Sequence, residues 1–247
     1  MSAEPTSATQ AGSPVALVTG ANRGIGLGLC RQLRERGRDV IAVCRGSSAA
    51  LDALGVRVEV GVDVTADEPV AALADRLAGV ALAELRCNAG ILREDGLDDV
   101  QLDDVRAQLE VNALGPLRVA RALRGCLARA ETGAKSGAKS GARTGAKIAL
   151  ITSRMGSIGD NSSGGYYGYR MSKAALNAAG MSLARDLRSD GIAVAILHPG
   201  FVRTDMTDHE GNLDPDAAAA QLVDRLDALT LETSGSFWHA NGQMLPW

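Results

Sequence analysis

The chain of 247 residues is 46% apolar and 22% charged, and its formal net charge at pH 7 is −3. It therefore has enough apolar side chains for a full hydrophobic core and too little excess charge for a disordered chain. The small negative charge provides no broad positive surface for nucleic acid or for an anionic membrane, so neither is expected as a partner.

The first residues and the cysteines exclude other classes of protein. Residues 1–13 have no basic start and no apolar run, so we predict a disordered tail and neither a secretory signal nor a transit peptide. No apolar stretch approaches the roughly 18–20 residues that span a bilayer. The four cysteines form no Cys-x-x-Cys pair, and with three histidines they predict neither a disulfide framework nor a metal site. A cytoplasmic location is expected.

Strand and helix patterns alternate along the chain. Apolar, β-branched runs predict strands at residues 15–19, 40–43, 56–62, 147–152 and 192–197, and a further strand that ends at Cys87. Amphipathic stretches predict helices at residues 24–36, 67–78, 99–108, 111–130 and 169–189. This alternation predicts one α/β domain over residues 14–247. It would be a doubly wound (Rossmann) parallel sheet with helices on both faces and functional loops at the carboxyl ends of its strands.

Residues 133–147 interrupt the alternation with a four-residue repeat in which Gly-Ala is followed by a cation. A glycine in every turn disfavours a helix by about 1 kcal/mol each, so we predict a flexible basic insertion. Four exposed cations attract an anion weakly in salt, which favours a solvated loop over an anion or partner contact.

A glycine-rich turn, Thr19-Gly20-Ala21-Asn22-Arg23-Gly24-Ile25-Gly26, joins the first predicted strand to the first helix. At this place, backbone amides and the helix dipole can meet a pyrophosphate. Gly20 would permit the sharp turn, Gly24 the approach of the backbone to phosphates, and Gly26 the packing of helix on sheet. The motif predicts a dinucleotide site, and an ordinary strand-to-helix turn is the alternative.

The end of the second strand indicates which dinucleotide is bound. NAD sites of this kind place a carboxylate there for the ribose 2′-hydroxyl, whereas this chain has Arg45 after Cys44. Arg45, helped by Arg23, would receive a 2′-phosphate, so NADP(H) is favoured over NAD(H). The alternative is that both arginines are surface charges. Asp63, after the third strand, is either an adenine ligand or a turn carboxylate.

Tyr169 and Lys173 form the candidate chemical centre because residues four apart share one face of a helix. A neighbouring cation stabilises a phenolate and moves the pKa of the phenol, ordinarily about 10, toward the working range of an acid or base. Ser153, at the end of the preceding strand, would bind a substrate carbonyl, although turns and caps are the commoner use of such a serine. No Gly-x-Ser-x-Gly elbow surrounds it, so a hydrolase is not supported. His198 is expected to be a strand-end residue and not a general base.

Seven features occur along residues 15–204 in the order typical of one family. They are Thr19-Gly20-x-x-x-Gly24-x-Gly26, Asp63, Asn88-Ala89-Gly90, Asn112, Ser153, Tyr169-x-x-x-Lys173 and Pro199-Gly200. In these features the chain resembles the short-chain dehydrogenases/reductases. Residues 166–173 and the sequence Leu245-Pro246-Trp247 resemble the subgroup that contains C-factor and the sniffer-type carbonyl reductases.

The resemblance implies an NADP(H)-dependent oxidoreductase that transfers a hydride between nicotinamide and a carbonyl or secondary alcohol. The implied catalytic residues are Tyr169 as acid/base, Lys173 on the nicotinamide ribose, Ser153 on the carbonyl and Asn112 with a proton-relay water. The predicted cofactor-binding residues are Gly20, Asn22, Arg23, Gly24, Ile25, Gly26, Arg45, Asp63, Asn88, Ala89, Gly90, Tyr169, Lys173, Pro199, Gly200 and Thr204, the last at the nicotinamide amide.

Several alternatives stay open. Cys87 replaces a frequent asparagine of the family, and the spacing from Ser153 to Tyr169 is longer than is common, so Ser157 is the fallback for Ser153. A signalling or scaffold protein of C-factor type is the alternative function, and dehydration or epimerisation on the same fold is a third. Small residues on the two long predicted helices, 111–130 and 169–189, permit close helix approach, and the resemblance implies that these faces pair subunits in a homodimer or homotetramer. Ordinary internal packing is the alternative. The short polar segment 205–215 favours small or varied carbonyl substrates.

Overall fold

A computed structural model describes residues 13–133 and 145–247. Residues 1–12 of the predicted tail and residues 134–144 of the predicted insertion lie outside them. Of the insertion's ends, Gly133 ends a helix and Lys147 begins a strand. The strands of the described part are β1 Val15–Thr19, β2 Asp39–Val43, β3 Arg57–Glu59, β4 Leu82–Cys87, β5 Lys147–Ile151, β6 Ala193–His198 and β7 Phe237–His239.

The helices surround these strands in chain order. They are α1 Gly24–Glu35, α2 Ala49–Asp52, α3 Asp67–Arg76, α4 Leu102–Leu109, α5 Gly115–Ala122, α6 Arg124–Gly133, α7 Tyr167–Asp186 and α8 Pro215–Asp227. A π-helical turn, Glu110–Leu114, joins α4 to α5, and short 3₁₀ turns occur at Arg154–Gly156 and Asp205–Thr207. No helix of the described part is long and apolar enough to cross a membrane.

The seven strands form one parallel sheet in the order β3-β2-β1-β4-β5-β6-β7. The strand order reverses between β1 and β4, and ligands of such sheets bind in the crevice outside the carboxyl ends at this switch point. The predicted doubly wound α/β fold is confirmed. The glycine turn after β1 and Asn88 after β4 meet at the switch point.

Helices cover both faces of the sheet, so the strands are buried on both sides and have continuous apolar sequences. Leu17 of β1 packs in the core under α3, α5, α6 and α7, whereas Ala16 and Val18 pack in the core under α1 and α8. The helices on the two faces of the sheet therefore hold its carboxyl edge in place between them.

Helix α8, which the sequence analysis left unpredicted, packs along α1. Gly28 permits the close approach, since a Cβ there would lie 3.1 Å from Ala219 Cβ. Three ion pairs follow the same seam and are here called the α1–α8 ladder: Arg31–Asp216, Arg36–Asp224 and Arg38–Asp227. The segment between β6 and α8 is thereby fixed beside the glycine turn.

Several predicted boundaries differ from the structure. Residues 111–130 were expected as one helix but contain the π-helical turn, α5 and α6, with a break at Leu123. The third strand is limited to Arg57–Glu59, because it pairs only with β2 and Val60 is 55% exposed. Helix α4 begins at Leu102 and not at residue 99.

Candidate active site

A cleft of about 400 Å³ follows the carboxyl edge of the sheet. Arg45 and Asp63 line one end, the glycine turn lies between, and Tyr169 and Lys173 line the other end. Every predicted cofactor-binding residue except Gly200 lines this cleft. Gly200 instead has φ +93°, and a Cβ there would lie 3.1 Å from Leu213 Cδ1, so it serves the turn after β6.

The glycine turn is too crowded for larger residues. Gly20 has φ +65°, and a Cβ there would lie 2.8 Å from the Cα of Ala89. A Cβ at Gly26 would lie 2.0 Å from the carbonyl oxygen of Gly20, and one at Gly24, with φ +53°, would lie 3.4 Å from Thr204 Cγ2. These glycines therefore let the turn lie against the residues after β4 and β6 while its backbone faces the cleft.

Hydrogen bonds join β1 and β4 at the switch point. Thr19 Oγ1 accepts from the backbone amides of Asn88 and Ala89, at 3.0 and 3.1 Å. The Asn88 side chain donates in return to the carbonyl oxygens of Thr19 and Gly20, at 3.1 and 3.2 Å. Asn88 thus fixes the glycine turn from the neighbouring strand.

Charged residues lie at the end of the cleft that sequence reasoning assigned to the adenosine. Hydrogen bonds from the backbone and hydroxyl of Thr65 hold the pKa of Asp63 below its usual range, and the charge of Arg45 adds to this. Thr65 uses Oδ1 of Asp63 and leaves the second oxygen for a ligand. Arg45 is exposed. Arg23 donates to Asp205 Oδ2 at 2.8 Å.

Tyr169 and Lys173 lie on the inner face of α7, as their spacing predicted. Lys173 Nζ is 5.6 Å from the centre of the Tyr169 ring and donates to the carbonyl oxygen of Ile151 at 3.0 Å. Burial raises the pKa of Tyr169 to about 12, against the lowering effect of a hydrogen bond with Ser153. Burial also lowers the pKa of Lys173 to about 8. The expected lowering of the phenol pKa by the cation was wrong, because desolvation raises this pKa and the opposing effect comes from the hydrogen bond with Ser153.

Ser153 and its alternative, Ser157, have different hydrogen-bond partners in the structure. Ser153 follows β5, hydrogen-bonds with Tyr169 and caps the 3₁₀ turn by accepting from Met155 N at 3.1 Å. Ser157 Oγ accepts from the backbone amide of Asp160 at 3.1 Å and so serves a neighbouring turn. Ser153 is therefore the serine beside the phenol.

Asn112 lies in the π-helical turn Glu110–Leu114, a feature frequent at functional sites. Its amide accepts from Ile91 N at 2.8 Å and donates to Ile91 O at 2.8 Å and to Ser172 Oγ at 3.0 Å. Gln108, which sequence reasoning missed, pairs in the same way with the backbone of Arg93. Two amides four residues apart thus hold the segment after β4 against α4 and the π-helical turn, and Asn112 also joins it to Ser172 of α7.

Asp95 is a second residue that sequence reasoning missed. Its carboxylate accepts from the backbone amides of Tyr167 and Gly168, the first residues of α7. The backbone amide of Tyr166 donates to Asp95 O at 2.8 Å, and Tyr166 has φ 54°. Asp95 therefore caps the helix that carries Tyr169, from a loop about 70 residues away. No sequence motif marked it.

His198 ends β6 as expected. Burial is the main cause that lowers its pKa to about 3, and its ring meets the edge of His239 at 4.9 Å between centroids. It is neutral at physiological pH. Within residues 13–133 and 145–247, no three His, Cys, Asp or Glu side chains form a group that could hold a metal ion.

Comparisons with known proteins extend the motif analysis. Residues 14–213 match the family described as short chain dehydrogenase. The chain is 46% identical over 237 residues to 1-hydroxy-2-glutathionyl-2-methyl-3-butene dehydrogenase of Rhodococcus sp. strain AD45, which covers 94% of this chain and 98% of that protein. It is 40% identical over 151 residues to C-signal of Myxococcus xanthus, covering 61% and 83% of the two chains.

Solved structures match over nearly the whole chain. The carbonyl reductase Sniffer of D. melanogaster superposes with a TM-score of 0.86 at 30% identity, covering 95% of this chain and 99% of that one. The NADPH-bound carbonyl reductase from chicken fatty liver superposes with a TM-score of 0.84 at 30% identity, covering 95% and 98%. The family match over residues 14–213 includes the glycine turn and the helix that carries Tyr169.

Proposed function

The chain belongs to the short-chain dehydrogenase family of oxidoreductases, and on this premise we propose that it transfers a hydride between NADP(H) and a carbonyl or secondary alcohol, with Tyr169 as acid/base. One observation carries the proposal. Tyr169, hydrogen-bonded to Ser153 and beside Lys173, lines the same cleft as the glycine turn.

The residues of the cleft fit a dinucleotide. A Cβ at Gly20 would collide with Ala89 and one at Gly26 with the carbonyl oxygen of Gly20, so glycine at both positions keeps the close-packed turn whose backbone would meet a pyrophosphate. Arg45 and Arg23 carry the charge that a 2′-phosphate needs, and the chicken relative is described as NADPH-bound. Bound NADPH would supply the hydride. Lys173 and Thr204 would hold the nicotinamide end.

The buried phenol is suited to protonate the oxygen of a reduced carbonyl. A pKa of about 12 keeps Tyr169 protonated at neutral pH, so it can donate. Lys173, with a pKa of about 8, is mostly cationic at pH 7 and stabilises the phenolate that remains. Ser153 can donate a hydrogen bond to the same oxygen as negative charge develops there. These protonation states favour reduction at neutral pH and oxidation in more alkaline solution.

The test is the oxidation of NADPH and NADH by the purified protein against aldehydes, ketones and diketones. Tyr169→Phe is expected to lower kcat by about 10²–10⁴-fold, because the proton donor is lost. Tyr167→Phe is the matched control, since this half-exposed ring lies two residues away and its hydroxyl has no partner within the described residues. Equal rates for wild type and Tyr169→Phe would contradict the mechanism.

Arg45→Ala tests the choice of cofactor. Hydrogen bonds to charged groups contribute about 1.5–3 kcal/mol, so the Kd for NADPH is expected to rise by at least about tenfold while the Kd for NADH changes little. Isothermal titration calorimetry measures both constants. Equal weakening of both nucleotides would show that Arg45 does not read the 2′-phosphate.

The strong match to the Rhodococcus enzyme favours one specific substrate class. We propose glutathione conjugates that carry an alcohol, or the matching aldehyde, as the first compounds to test beside simple carbonyls, because the 46% identity spans almost the whole chain. Turnover of the conjugate with a lower KM than its glutathione-free alcohol would support this class. Equal KM values would exclude recognition of the peptide portion.

The C-signal match favours a second candidate function, nucleotide-dependent signalling with incidental activity. Under that hypothesis Tyr169→Phe protein would still bind NADPH and would restore the cellular phenotype of a deletion strain. Failure of the variant to restore it would favour the enzymatic function.

A further inference from the structure

Arg23 and Asp205 form an ion pair between two segments that line the cofactor cleft. Arg23 lies in the glycine turn after β1, and Asp205 opens the 3₁₀ turn Asp205–Thr207 after β6, 182 positions further along the chain. The guanidinium-to-carboxylate distance is 2.8 Å. The side chains are 70% and 54% exposed. Solvent can therefore reach the pair.

The backbone around Arg23 is fixed on both sides. The hydroxyl of Ser48 donates to the Asn22 carbonyl oxygen at 2.7 Å, and Ala21 N donates to Val43 O at 3.3 Å, so the turn is tied to the segment that carries Arg45. On the other side, Gly24 faces Thr204. Arg23 thus lies in a turn that is tied to the Arg45 segment on one side and faces the Asp205 segment on the other, and all three residues line the same cleft.

We propose that Asp205 is a specificity-determining residue for the cofactor, because it pairs with Arg23 and competes with the 2′-phosphate of NADP(H) for this guanidinium. NAD(H) lacks that phosphate, so the Arg23–Asp205 ion pair stays intact when NAD(H) binds. The inference rests on the proposed function, because it requires a nicotinamide dinucleotide in the cleft.

The energies permit this exchange. An exposed ion pair contributes little to stability because water screens it, whereas a guanidinium and a phosphate form a charge-assisted, two-pronged hydrogen bond. The 2′-phosphate is therefore expected to replace Asp205 as the partner of Arg23. The binding free energy of NADP(H) is then reduced by the energy of the ion pair that is broken. Asp205 keeps a neighbour after the exchange, since His209 Nε2 lies 3.6 Å from its other oxygen.

The segment that carries Asp205 keeps its position without the pair. Arg203 binds Asp214 at 2.8 Å, and its backbone amide donates to Leu213 O at 2.9 Å. Thr207 Oγ1 donates to Val202 O at 2.8 Å. Neutralising Asp205 should therefore free the Arg23 side chain without unfolding the segment.

The experiment is calorimetric titration of NADP⁺ and NAD⁺ into wild type and Asp205→Asn. The variant is expected to raise the preference for NADP⁺ over NAD⁺ by about two- to fivefold, the range of an exposed ion pair. Asp208→Asn is the matched control, because Asp208 is exposed in the same segment and makes no ion pair in the described part of the chain. It removes the same charge and should leave the preference unchanged.

A second background isolates the role of Arg23. The double variant Arg23→Ala/Asp205→Asn is expected to show the same preference for NADP⁺ over NAD⁺ as Arg23→Ala alone. The proposal is overturned if Asp205→Asn strengthens both nucleotides equally, or if its effect persists without Arg23. Absence of binding of either nucleotide to wild type would instead overturn the proposed function, and this inference with it.

Discussion

Two groups of residues in and around the cleft are built in opposite ways. The proposed catalytic wall, defined as Tyr169 and Lys173 of the cleft lining together with Ser153 and Asn112, which do not line the cleft, has no residue more than 9% exposed. Each of its side chains has a hydrogen-bond partner. The nucleotide wall, defined as Arg23, Arg45 and Asp205, is exposed and has one ion pair. Groups that would move protons are desolvated and fixed, whereas groups that would recognise a charged ligand stay in water and can exchange partners.

The contrast follows from the work that each wall is proposed to do. Burial strengthens electrostatic effects on a developing charge, since few water molecules reorganise around it. Exposure keeps an ion pair weak enough to be replaced by an incoming phosphate. Substitutions in the catalytic wall should therefore have large effects that resist salt, and those at exposed ion pairs small effects that salt weakens.

Lys173→Met should give the largest effect. The change removes the cation 5.6 Å from the Tyr169 ring, so kcat for carbonyl reduction is expected to fall by at least about 10²-fold at pH 7. Steady-state kinetics at saturating NADPH measures it. A decrease in kcat of less than about threefold would contradict the contrast between the two walls, because the buried charge would then contribute little to the chemical step.

The same variant should change how stability depends on pH. Burial lowers the pKa of Lys173 from 10.5 to about 8, so the unfolded chain binds more protons than the folded one between these values. The free energy of unfolding of wild type, relative to Lys173→Met, should therefore rise by up to about 3 kcal/mol as pH increases from 8 to 10.5. Urea unfolding at several pH values tests this, and a flat difference would contradict the burial of a charged lysine.

Asn112→Ala should reduce stability by about 1–3 kcal/mol, because the buried Asn112 amide loses its bonds to the partly buried backbone N–H and C=O of Ile91 and to Ser172. Urea unfolding at pH 7 gives the value. Asn161→Ala is the control, since Asn161 is exposed and accepts only from Gly164 N in the described part of the chain. If both variants lose the same stability, Asn112 is not the anchor that the structure indicates.

The α1–α8 ladder should give the smallest effect. Asp224→Asn removes the carboxylate that binds Arg36, and because the pair is surface-exposed we expect a loss of less than about 1 kcal/mol at low salt. The loss should shrink further above about 0.5 M NaCl, where screening is strong. A large, salt-independent loss of stability would show that the α1–α8 ladder behaves like the buried groups and not like exposed ion pairs.

Sequence patterns predicted most of the fold and the members of the site. The glycine turn has local backbone requirements, and Tyr169 and Lys173 are related by helical spacing. Both features can therefore be predicted from a short stretch of sequence. Helix α8 also shows a helical period, with buried Leu222, Val223 and Leu226 after Pro215, although no helix was predicted there.

Contacts between distant segments were not predictable in this way. Asp95 caps α7 across about 70 residues, and Asp205 meets Arg23 across 182. No local pattern marks such carboxylates, because their role depends on where the fold brings them. The pKa of Tyr169 was misjudged for a related reason, since its dominant cause is burial by the whole fold.

The most direct test of the account is single-turnover reduction of a carbonyl substrate by NADPH-saturated wild type and Tyr169→Phe, with the Kd for NADPH measured on the same samples. We predict a Kd within about twofold and a hydride-transfer rate lower by at least about 10²-fold in the variant. An unchanged transfer rate would contradict the role of Tyr169, and a parallel loss of NADPH binding would contradict the separation of the two walls.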